Sequence, residues 1–413
     1  MKLLILTQYF PPEMGATQTR LSELACKLQE RGNQVTVLTA MPNYPTGRVF
    51  DGYRGKLRLE EEYKGLRVIR TWVWASHSQR QWPRLLCYFS FVLSSVLLGA
   101  WKLGRHDVLW FDCPPMFLTP AGLLLRRITR SKVVMNVADI WPEALLQSGQ
   151  TFSPRRLKAL YWLERFAYEH VDVVSLTNPG AMRRIQARFP HVATTVFSNG
   201  VDTTLFRPEL RDPAVRANLR AGPDDFLVVF GGLHGISQGL EVVINAADQL
   251  RDRPRIKLVL IGDGPTKADL VALAQAKQLP NVTFLGIKPK GEMPAIMASA
   301  DASLVPLAAR MPGTMPSKIY EAMASGVPVL VVKGCEGEAF VDECHVGRTF
   351  EPLDAGELAR AIGELVDHPE EVARIRENCR KLSKRFDREA IAAQSNEILH
   401  AIAEGRPLPP VVW

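Results

Sequence analysis

The first 40 residues alternate between apolar runs and an amphipathic segment, and this alternation constrains the fold more than any other feature of the chain. Residues 2–7 and 35–39 predict β-strands, and residues 17–31 carry Leu and Ala at helical spacing until Gly32 ends the segment. Two such strands connected through one helix lie parallel, with a right-handed crossover. The chain therefore begins as a parallel α/β sheet.

The alternation continues in two series with a break between them. The first series predicts further strands at 68–71, 108–111, 133–137, 171–176 and 194–196. Turn-forming residues at 199–202 and a polar stretch at 208–225 interrupt it. The second series predicts strands at 226–230, 257–261, 282–285, 302–305 and 327–332. Because 413 residues exceed one core, we predict two doubly wound domains facing a cleft, 1–197 and 198–386. The helical tail, 387–413, is free to pack back on the first domain, and its place stays open.

The net charge of +8 is concentrated in the first half of the chain. Residues 1–190 hold 26 Lys and Arg against 14 Asp and Glu, a balance of +12, whereas the remainder holds 25 against 29, a balance of −4. Nucleic acid and anionic membrane are the usual partners of such a half. Nucleic acid is disfavoured, because the chain has no helix-turn-helix spacing, zinc finger or aromatic RNA platform.

The cysteines and the N-terminus indicate the compartment. The six cysteines form no Cys-x-x-Cys pair, which is typical of a reducing cytoplasm and argues against a disulfide framework or a zinc site. The apolar run at 3–6 is too short for a secretory signal and fits a first strand. We therefore expect a cytoplasmic protein.

The segment 85–101 carries no charged residue and has three interpretations. It falls short of the roughly 20 residues that a membrane-spanning helix needs. It fits a core helix of an α/β domain, and it also fits an in-plane helix whose flanking cations contact lipid phosphates. We favour a helix that is partly packed and partly lipid-facing, because Trp82 and Trp101 stand at its ends. The flanking cations are Arg80, Arg84, Lys102 and Arg105.

The stretch 313–330 predicts a binding site. Pro316 and Ser317 suit a first helical turn, Gly326 ends the helix, and the apolar run 327–332 follows as a strand. Free N–H groups at a helix start hold anions. Lys318 adds a positive charge there, and Glu321 lies one turn further on. A phosphate and a hydroxyl-bearing group can share this position, as a sugar nucleotide requires.

Other loops that follow predicted strands are weaker candidates. The segment 231–239 has four glycines together with His234 and Gln238, which favours a phosphate loop, although a solvated histidine is the simpler alternative. Gly262 belongs to a second turn of this kind. In the first half, Gly15 permits close backbone approach and Thr17 is suited to cap the helix.

Asp139 follows the apolar strand 133–137, where a carboxylate is a site candidate, with capping of the next helix as the alternative. The chain contains no Asp-x-Asp, which removes the simplest metal–diphosphate site. We therefore expect neither a metal nor another cofactor.

The ordered set of motifs resembles the retaining family-4 glycosyltransferases, which have two facing Rossmann-like domains in a GT-B fold. It is most similar to the bacterial branch that builds O-antigen, capsule or exopolysaccharide, including transferases of N-acetyl-L-fucosamine. The motifs are residues 9–16, Pro42-Asn43-Tyr44-Pro45, Asp139-Ile140-Trp141-Pro142-Glu143, 198–202, 261–265 and 316–328.

The resemblance implies residue roles and leaves two gaps. Glu321 matches the second acid of the family's Glu-x7-Glu motif, which in relatives holds the ribose hydroxyls, but Gly313 replaces the first acid. The Arg and Lys of the family's glycine loop correspond to Gly232 and Gln238. Lys318, together with Arg310, is then the expected source of positive charge.

The function that the resemblance implies is retaining transfer from a nucleotide diphosphate donor, a UDP-linked deoxy or N-acetylamino sugar, to a polyprenyl-diphosphate-linked saccharide. The second domain is expected to bind the donor, and the first to bind the acceptor at the inner face of the bacterial plasma membrane. A sugar-nucleotide 2-epimerase of the same fold and a non-catalytic sugar-nucleotide-binding protein are the alternatives.

The expected site residues form three groups. The catalytic group is Lys318, Asp139 and Glu321. The donor group is Gly15, Gly232, Leu233, His234, Gln238, Gly262, Ile287, Arg310, Thr314, Met315, Pro316, Ser317 and Glu321. The acceptor and membrane group is Arg80, Arg84, Trp101, Asp139 and Trp141.

Overall fold

The structure, a computed structural model, describes residues 1–76, 81–147, 150–411 and 413, with the main chain alone at 16, 17, 81 and 84. The described chain divides into two compact units. Unit 1 comprises residues within 1–146, 150–199 and 389–413, and unit 2 comprises 200–388 with Gln147.

Unit 1 is built on an eight-stranded sheet with the order β3-β4-β2-β1-β5-β6-β7-β8. Neighbouring strands pair in parallel except β3 and β4, which are antiparallel. The strands are β1 Lys2–Leu6, β2 Gln34–Ala40, β3 Arg58–Tyr63, β4 Leu66–Thr71, β5 Val108–Cys113, β6 Lys132–Val137, β7 Val173–Leu176 and β8 Thr194–Val196. The helices are α1 Ala16–Glu30, α2 Gln81–Leu97, α3 Thr119–Thr129, α4 Glu143–Gln147, α5 Pro154–His170 and α6 Pro179–Arg188.

Unit 2 is built on a six-stranded parallel sheet with the order β11-β10-β9-β12-β13-β14. The strands are β9 Phe226–Gly231, β10 Ile256–Ile261, β11 Val282–Leu285, β12 Ala302–Val305, β13 Val329–Val332 and β14 Gly347–Phe350. The helices are α7 Pro213–Asn218, α8 Glu241–Gln249, α9 Lys267–Ala276, α10 Met293–Ser299, α11 Lys318–Ala324, α12 Glu336–Cys344, α13 Ala355–Asp367 and α14 Pro369–Ser383. The last helix, α15 Arg388–Glu404, belongs to unit 1 from Glu389 onward.

Both sheets have a point where the strand order reverses, and ligands of doubly wound folds bind there, beyond the carboxyl ends of the strands. In unit 1 this point lies between β1 and β5, and in unit 2 between β9 and β12. Gly15, Gly232 and Arg310 lie in loops that follow β1, β9 and β12, whereas Asp139 follows β6 and Gly262 follows β10.

The core of unit 1 consists of two layers, one on each face of the sheet. Aliphatic side chains of the parallel strands are buried on both faces, as expected for such a sheet. One layer contains residues of α2, α3, α5 and α6, such as Phe91 and Leu125. The other contains residues of α1 together with Ile398, Leu399 and Ile402 of α15. The C-terminal helix therefore completes the core of unit 1 beside β1 and β5.

The strand predictions are confirmed to within a few residues, and two strands were missed. β3 has the charged sequence Arg-Leu-Glu-Glu-Glu-Tyr and therefore lacks the apolar run that marks the other strands. Its signal was the two-residue turn Lys64-Gly65, where both φ angles are positive (50° and 82°) and Tyr63 pairs with Leu66. β14 has only four residues and contains Arg348. Both are edge strands, where charge is common.

Helix α2 contains most of the uncharged segment. Phe91 and Ser95 of this helix are fully buried, whereas Leu93 and Leu97 are exposed. The structure thus confirms a helix that is packed on one side and open on the other. Within the parts of the chain that are described, no helix is both long and apolar enough to cross a bilayer.

Candidate functional site

The glycine loop of unit 2 begins at the carboxyl end of β9 and packs against the loop after β10 through the backbone. The Gly232 N–H donates to the Ile261 carbonyl (2.9 Å), and the His234 N–H donates to the Asp263 carbonyl (2.8 Å). A Cβ atom on Gly262 would lie 1.9 Å from the Gly232 carbonyl oxygen, so no larger residue fits there. The two loops are therefore joined by backbone hydrogen bonds into one platform at the carboxyl ends of β9 and β10.

Two of the backbone donors expected at this site are already engaged. The Gly232 N–H is held by Ile261, and the Thr314 N–H donates to the Met311 carbonyl at 3.1 Å. The expectation that these two groups hold a phosphate is therefore wrong, because a second acceptor would have to displace a hydrogen bond. Among the described residues, the N–H groups of Met315, Ser317 and Lys318 have no protein acceptor.

Helix α11 starts later than the sequence predicts. Pro316 and Ser317 precede it, and the first helical residue is Lys318. Its end agrees with the prediction: Gly326 has φ 67°, and its N–H donates to the Met323 carbonyl at 2.9 Å. The helix has only seven residues, so its dipole is weak, and the charge of Lys318 is the more important electrostatic feature here.

Lys318 reaches the glycine loop. A Cβ atom built on Gly232 would lie 3.0 Å from both Cε and Nζ of Lys318, so the lysine occupies the space that a side chain at 232 would need. The Nζ atom also lies 5.6 Å from the centroid of the Phe230 ring. Burial lowers the pKa of Lys318, and Glu321 partly restores it. In the described part of the chain, no carboxylate forms an ion pair with this lysine.

Glu321 lies one turn beyond Lys318 and is half-buried. Burial raises the pKa of its carboxyl group, against the opposing charges of Lys318, Arg388 and Lys290. No hydrogen bond joins its side chain to another described residue, so its two oxygens are available to accept ligand hydroxyls. Lys290, in the loop after β11, is a cation that the sequence argument missed, although two lysines in Lys288-Pro289-Lys290 were a signal.

The alternative that His234 is a solvated histidine is wrong. The side chain is completely buried, and neither ring nitrogen has a hydrogen-bond partner among the described residues. Its ring lies 5.8 Å from that of Phe230 and 6.4 Å from that of Phe284. Burial, aided by Lys267, lowers its pKa. The neutral imidazole therefore packs beneath the glycine loop, between this loop and the rings of Phe230 and Phe284.

The other predicted donor residues occupy different surroundings. Arg310 is paired with Glu351 (2.6 Å), which removes it as a free source of positive charge. Leu233 and Ile287 are exposed, and Gln238 is half-buried in a short turn. Lys267, which the sequence argument missed, donates to the Gly262 and Leu285 carbonyls at 2.7 and 3.0 Å and so ties the ends of β10 and β11 together.

In unit 1, Gly15 is the residue before α1 and has an extended backbone. A Cβ atom there would lie 2.3 Å from the Gln18 amide oxygen, so the glycine lets the buried Gln18 fold back over the loop. Since the helix already begins at Ala16, the prediction that Thr17 caps it is wrong.

Glu13 connects two motif loops of unit 1 and was missed by the sequence argument. This buried carboxylate accepts hydrogen bonds from the N–H groups of Phe10 (3.1 Å), Asn43 (2.7 Å) and Tyr44 (2.8 Å). Burial raises its pKa despite these bonds. Arg70, also buried, donates to the Pro11 carbonyl. The acid that follows two prolines in the first motif was the available signal.

Asp139 lies at the surface of the loop after β6. Helix α4 begins only at Glu143, and no described residue forms a hydrogen bond with the Asp139 side chain, so the capping alternative is not observed. Partial desolvation raises the pKa of this carboxyl group, and Arg20 lowers it. Arg20 itself donates to the Asn199 side chain at 2.7 Å. Sequence reasoning missed Arg20, the first cation after Gly15.

The exposed sides of α2, α3 and α5, with the segment 98–106 after α2, carry apolar and basic residues, which together we call the outer face. Its apolar residues on α2 recur every three or four positions, and a groove of about 510 Å³ separates them from Trp72 and Trp74. The exposed apolar residues are Trp82, Leu86, Phe89, Leu93, Leu97, Trp101, Leu124, Ile128 and Trp162. The exposed cations are Lys102, Arg105, Arg127, Arg130, Arg155, Arg156 and Lys158.

Residues 63–106 and 113–138 contain neither Asp nor Glu, whereas α5 carries Glu164 and Glu169. Trp101 is exposed, and Trp141 is half-buried beside the core. Arg80 lies outside the described residues, and the side chain of Arg84 is not described. No group of three or more potential metal ligands occurs among the residues that the structure describes.

Comparison with known proteins assigns each unit to a family. Residues 15–200 match the glycosyl transferase 4-like domain, and residues 212–382 match the group 1 glycosyl transferases. The putative colanic acid biosynthesis glycosyl transferase WcaI of Escherichia coli is 27% identical over 85% of this chain and 86% of its own. The probable glycosyltransferase WbjE of Pseudomonas aeruginosa is 29% identical over 68% and 70%.

The fold comparison agrees with the sequence comparison. The crystal structure of HepE from Anabaena superposes with a TM-score of 0.71 at 22% identity and covers 97% of this chain and 100% of HepE. The family matches and the fold comparison agree, and the chain is a glycosyltransferase of the GT-B fold, in which a glycosyl transferase 4-like unit precedes a group 1 unit.

Proposed function

We propose that this glycosyltransferase moves a sugar from a UDP-linked donor to a polyprenyl-diphosphate-linked saccharide during the synthesis of a bacterial surface polysaccharide, with retention at the anomeric carbon. The name of WcaI refers to colanic acid biosynthesis, which supports the polysaccharide assignment. HepE has been crystallised with UDP and with UDP-glucose, which supports a uridine diphosphate donor.

The observation that carries the donor assignment is Lys318 beside Gly232. The Lys318 amine has no carboxylate partner in the described chain and lies against the backbone of the glycine loop. This position is close to the point where the strand order of the unit 2 sheet reverses. A partly buried, uncompensated cation is costly unless an anion completes the site. The donor diphosphate supplies that anion, and Glu321 accepts the ribose hydroxyls through charge-assisted hydrogen bonds.

The chemical step needs no protein nucleophile in this proposal. The acceptor hydroxyl attacks the anomeric carbon from the side of the leaving group, and its proton passes to the departing phosphate oxygen. Lys318 stabilises the negative charge that develops on that diphosphate, an effect of several kcal/mol in water-excluded sites. Asp139 orients the acceptor, and Arg20 faces the same carboxylate.

We propose that unit 1 binds peripherally to the inner leaflet through the outer face. Leucine, phenylalanine and tryptophan side chains bury apolar area in the interfacial region, and the surrounding cations attract anionic headgroups. A long lipid acceptor has to be reached at the bilayer surface, so the acceptor-binding unit is the one expected to dock.

The transfer should proceed without a metal ion. Lys318 and the free backbone donors supply the charge stabilisation that a divalent cation provides in other transferases. Turnover should therefore survive treatment with EDTA, measured as product formed with and without chelator. An absolute requirement for Mn²⁺ or Mg²⁺ would contradict the proposed site.

The test is incubation of the purified protein with a panel of UDP-sugars, with and without a polyprenyl-diphosphate-linked saccharide. Sugar on the lipid supports the transferase. An isomerised nucleotide sugar without lipid product indicates an epimerase, and tight UDP binding without turnover indicates a non-catalytic binding protein. Lys318→Ala is the matched inactive control, since it leaves the acceptor unit unchanged.

A further inference from the structure

An aromatic row connects the loop after β6 with the outer face of unit 1. The Trp141 ring stands edge-on to that of Phe117, with centroids 6.3 Å apart and an angle of 87°. Phe117 in turn contacts Phe89 (5.1 Å) and lies parallel to within 27° of Tyr88 (6.1 Å). Three structural elements, the β6 loop, the turn before α3, and α2, thus contribute to one continuous apolar track.

Trp141 packs beside the core of unit 1, whereas Phe117, at the centre of the row, does not belong to that core. Phe117 is half-buried and lies outside the two core clusters of the described residues. A phenylalanine that retains solvent exposure next to other exposed rings leaves apolar surface uncovered, which is unfavourable unless a ligand covers it.

The two ends of the row lie at the two places that the proposed acceptor has to reach. Phe89 is 46% exposed and belongs to the outer face. Trp141 follows Asp139 by two residues in the loop that is proposed to orient the acceptor hydroxyl. Arg20 acts electrostatically on Asp139 and complements an anionic group there.

We infer that the aromatic row binds the isoprenoid segment of the acceptor lipid next to its diphosphate and leads it from the bilayer surface to Asp139. The identity of this occupant rests on the proposed function. The planar allylic units of an isoprenoid stack on ring faces, and the nearby cation matches the diphosphate. The row is therefore a binding site for a chain-plus-headgroup ligand that adjoins the outer face at Phe89.

The test is calorimetry with farnesyl diphosphate, a soluble isoprenoid diphosphate, on the full chain without lipid vesicles and with saturating UDP to occupy the donor unit. We expect binding at least about tenfold tighter than that of inorganic pyrophosphate, which carries the headgroup alone. Phe117→Ala should weaken farnesyl diphosphate binding about tenfold and leave pyrophosphate binding unchanged. Phe206→Ala, a half-buried phenylalanine in unit 2, is the matched control.

Equal affinities for farnesyl diphosphate and pyrophosphate, or an unchanged affinity in Phe117→Ala, would overturn the inference. If Phe117→Ala does not fold, a photoreactive farnesyl diphosphate analogue decides on the unmodified chain. Labelling of peptides with Tyr88, Phe89, Phe117 or Trp141 supports the row, and labelling elsewhere refutes it. The assay uses no donor sugar. Its outcome is therefore separate from that of the transfer assay, in which missing lipid product refutes the proposed function itself.

Discussion

Units 1 and 2 have the same doubly wound architecture but opposite surface chemistry. The exposed large apolar residues of unit 1 include a stripe along α2, from Trp82 to Leu97. Those described in unit 2 lie in loops and a short turn, and they are Leu205, Leu233, Ile236, Ile287 and Leu353. Inward positions of the helices are fixed by packing on the sheet in both units. Packing does not fix the outward positions, and we attribute their difference to the binding roles proposed for the two units.

From this comparison we propose that unit 2 binds the nucleotide donor and unit 1 associates with the membrane. Variants expected to affect only one of these activities test the proposal. Changes in the unit 2 loops should alter nucleotide binding or turnover without altering association with vesicles. Changes on the outer face should do the reverse. A variant that alters both would show that the two tasks are coupled.

The largest effect is expected for Lys318→Ala. Loss of a cation that stabilises the departing diphosphate should lower kcat by roughly 10²-fold or more, measured by transfer to a lipid-linked acceptor. Vesicle flotation should be unchanged. Lys257→Ala is the matched control, since that lysine contacts the Pro254 carbonyl before β10. Near-normal turnover of Lys318→Ala would assign the charge to another cation such as Lys290.

The pH dependence of the same residue gives an independent measurement. Burial lowers the pKa of Lys318, and the protonated form is the one that binds the diphosphate. As pH rises through this lowered pKa, kcat/KM should fall, beginning below the range of an ordinary lysine. Lys318→Arg should move this alkaline decline to higher pH, because guanidinium stays protonated. If Lys318→Arg had the same pH dependence of kcat/KM as the unmodified protein, the alkaline decline would not arise from Lys318.

Glu321→Gln should have the next largest effect. Replacing a carboxylate that accepts two ribose hydroxyls should weaken UDP binding roughly tenfold, since charge-assisted bonds are the stronger ones. Calorimetry should also show that the unmodified protein binds 2′-deoxy-UDP more weakly than UDP and that the variant discriminates less. Equal affinity of the unmodified protein for both nucleotides would refute the role.

On the outer face, Leu93→Asp should reduce flotation with anionic liposomes about tenfold, because one leucine loses its burial and a negative charge is added. UDP affinity should not change. The matched control is Leu205→Asp in unit 2, where the leucine is similarly exposed (52% against 62%). High salt should weaken but not abolish binding. Equal loss in both variants would leave the outer face without a special role.

The smallest effect is expected for Gly232→Ala. The added methyl group would press against the end of Lys318 and force it into another rotamer, lowering kcat/KM by up to about tenfold. Gly286→Ala, on the loop after β11, is the control, since nothing lies within 4 Å of a Cβ atom there. Full activity of Gly232→Ala would show that the Lys318 side chain does not have to lie beside residue 232.

Much of the unit 2 site could be predicted because its key residues are close in sequence. Lys318 and Glu321 lie one helical turn apart, so local spacing alone places them on one side of α11. Their partners could not be predicted in this way. The engagement of Arg310 by Glu351, and of the Gly232 N–H by Ile261, depends on loops that meet only after the sheet has formed.

The sequence by itself determined the two series of strands, the helix stop at Gly326 and the two-sided character of α2. Each of these depends on the local periodicity of apolar residues or on the backbone freedom of one glycine. The tertiary structure decided that His234 is buried, that α15 completes the core of unit 1 and that Phe117 joins Trp141 to the outer face. These contacts join segments far apart along the chain, and local propensity carries no information about which segments meet.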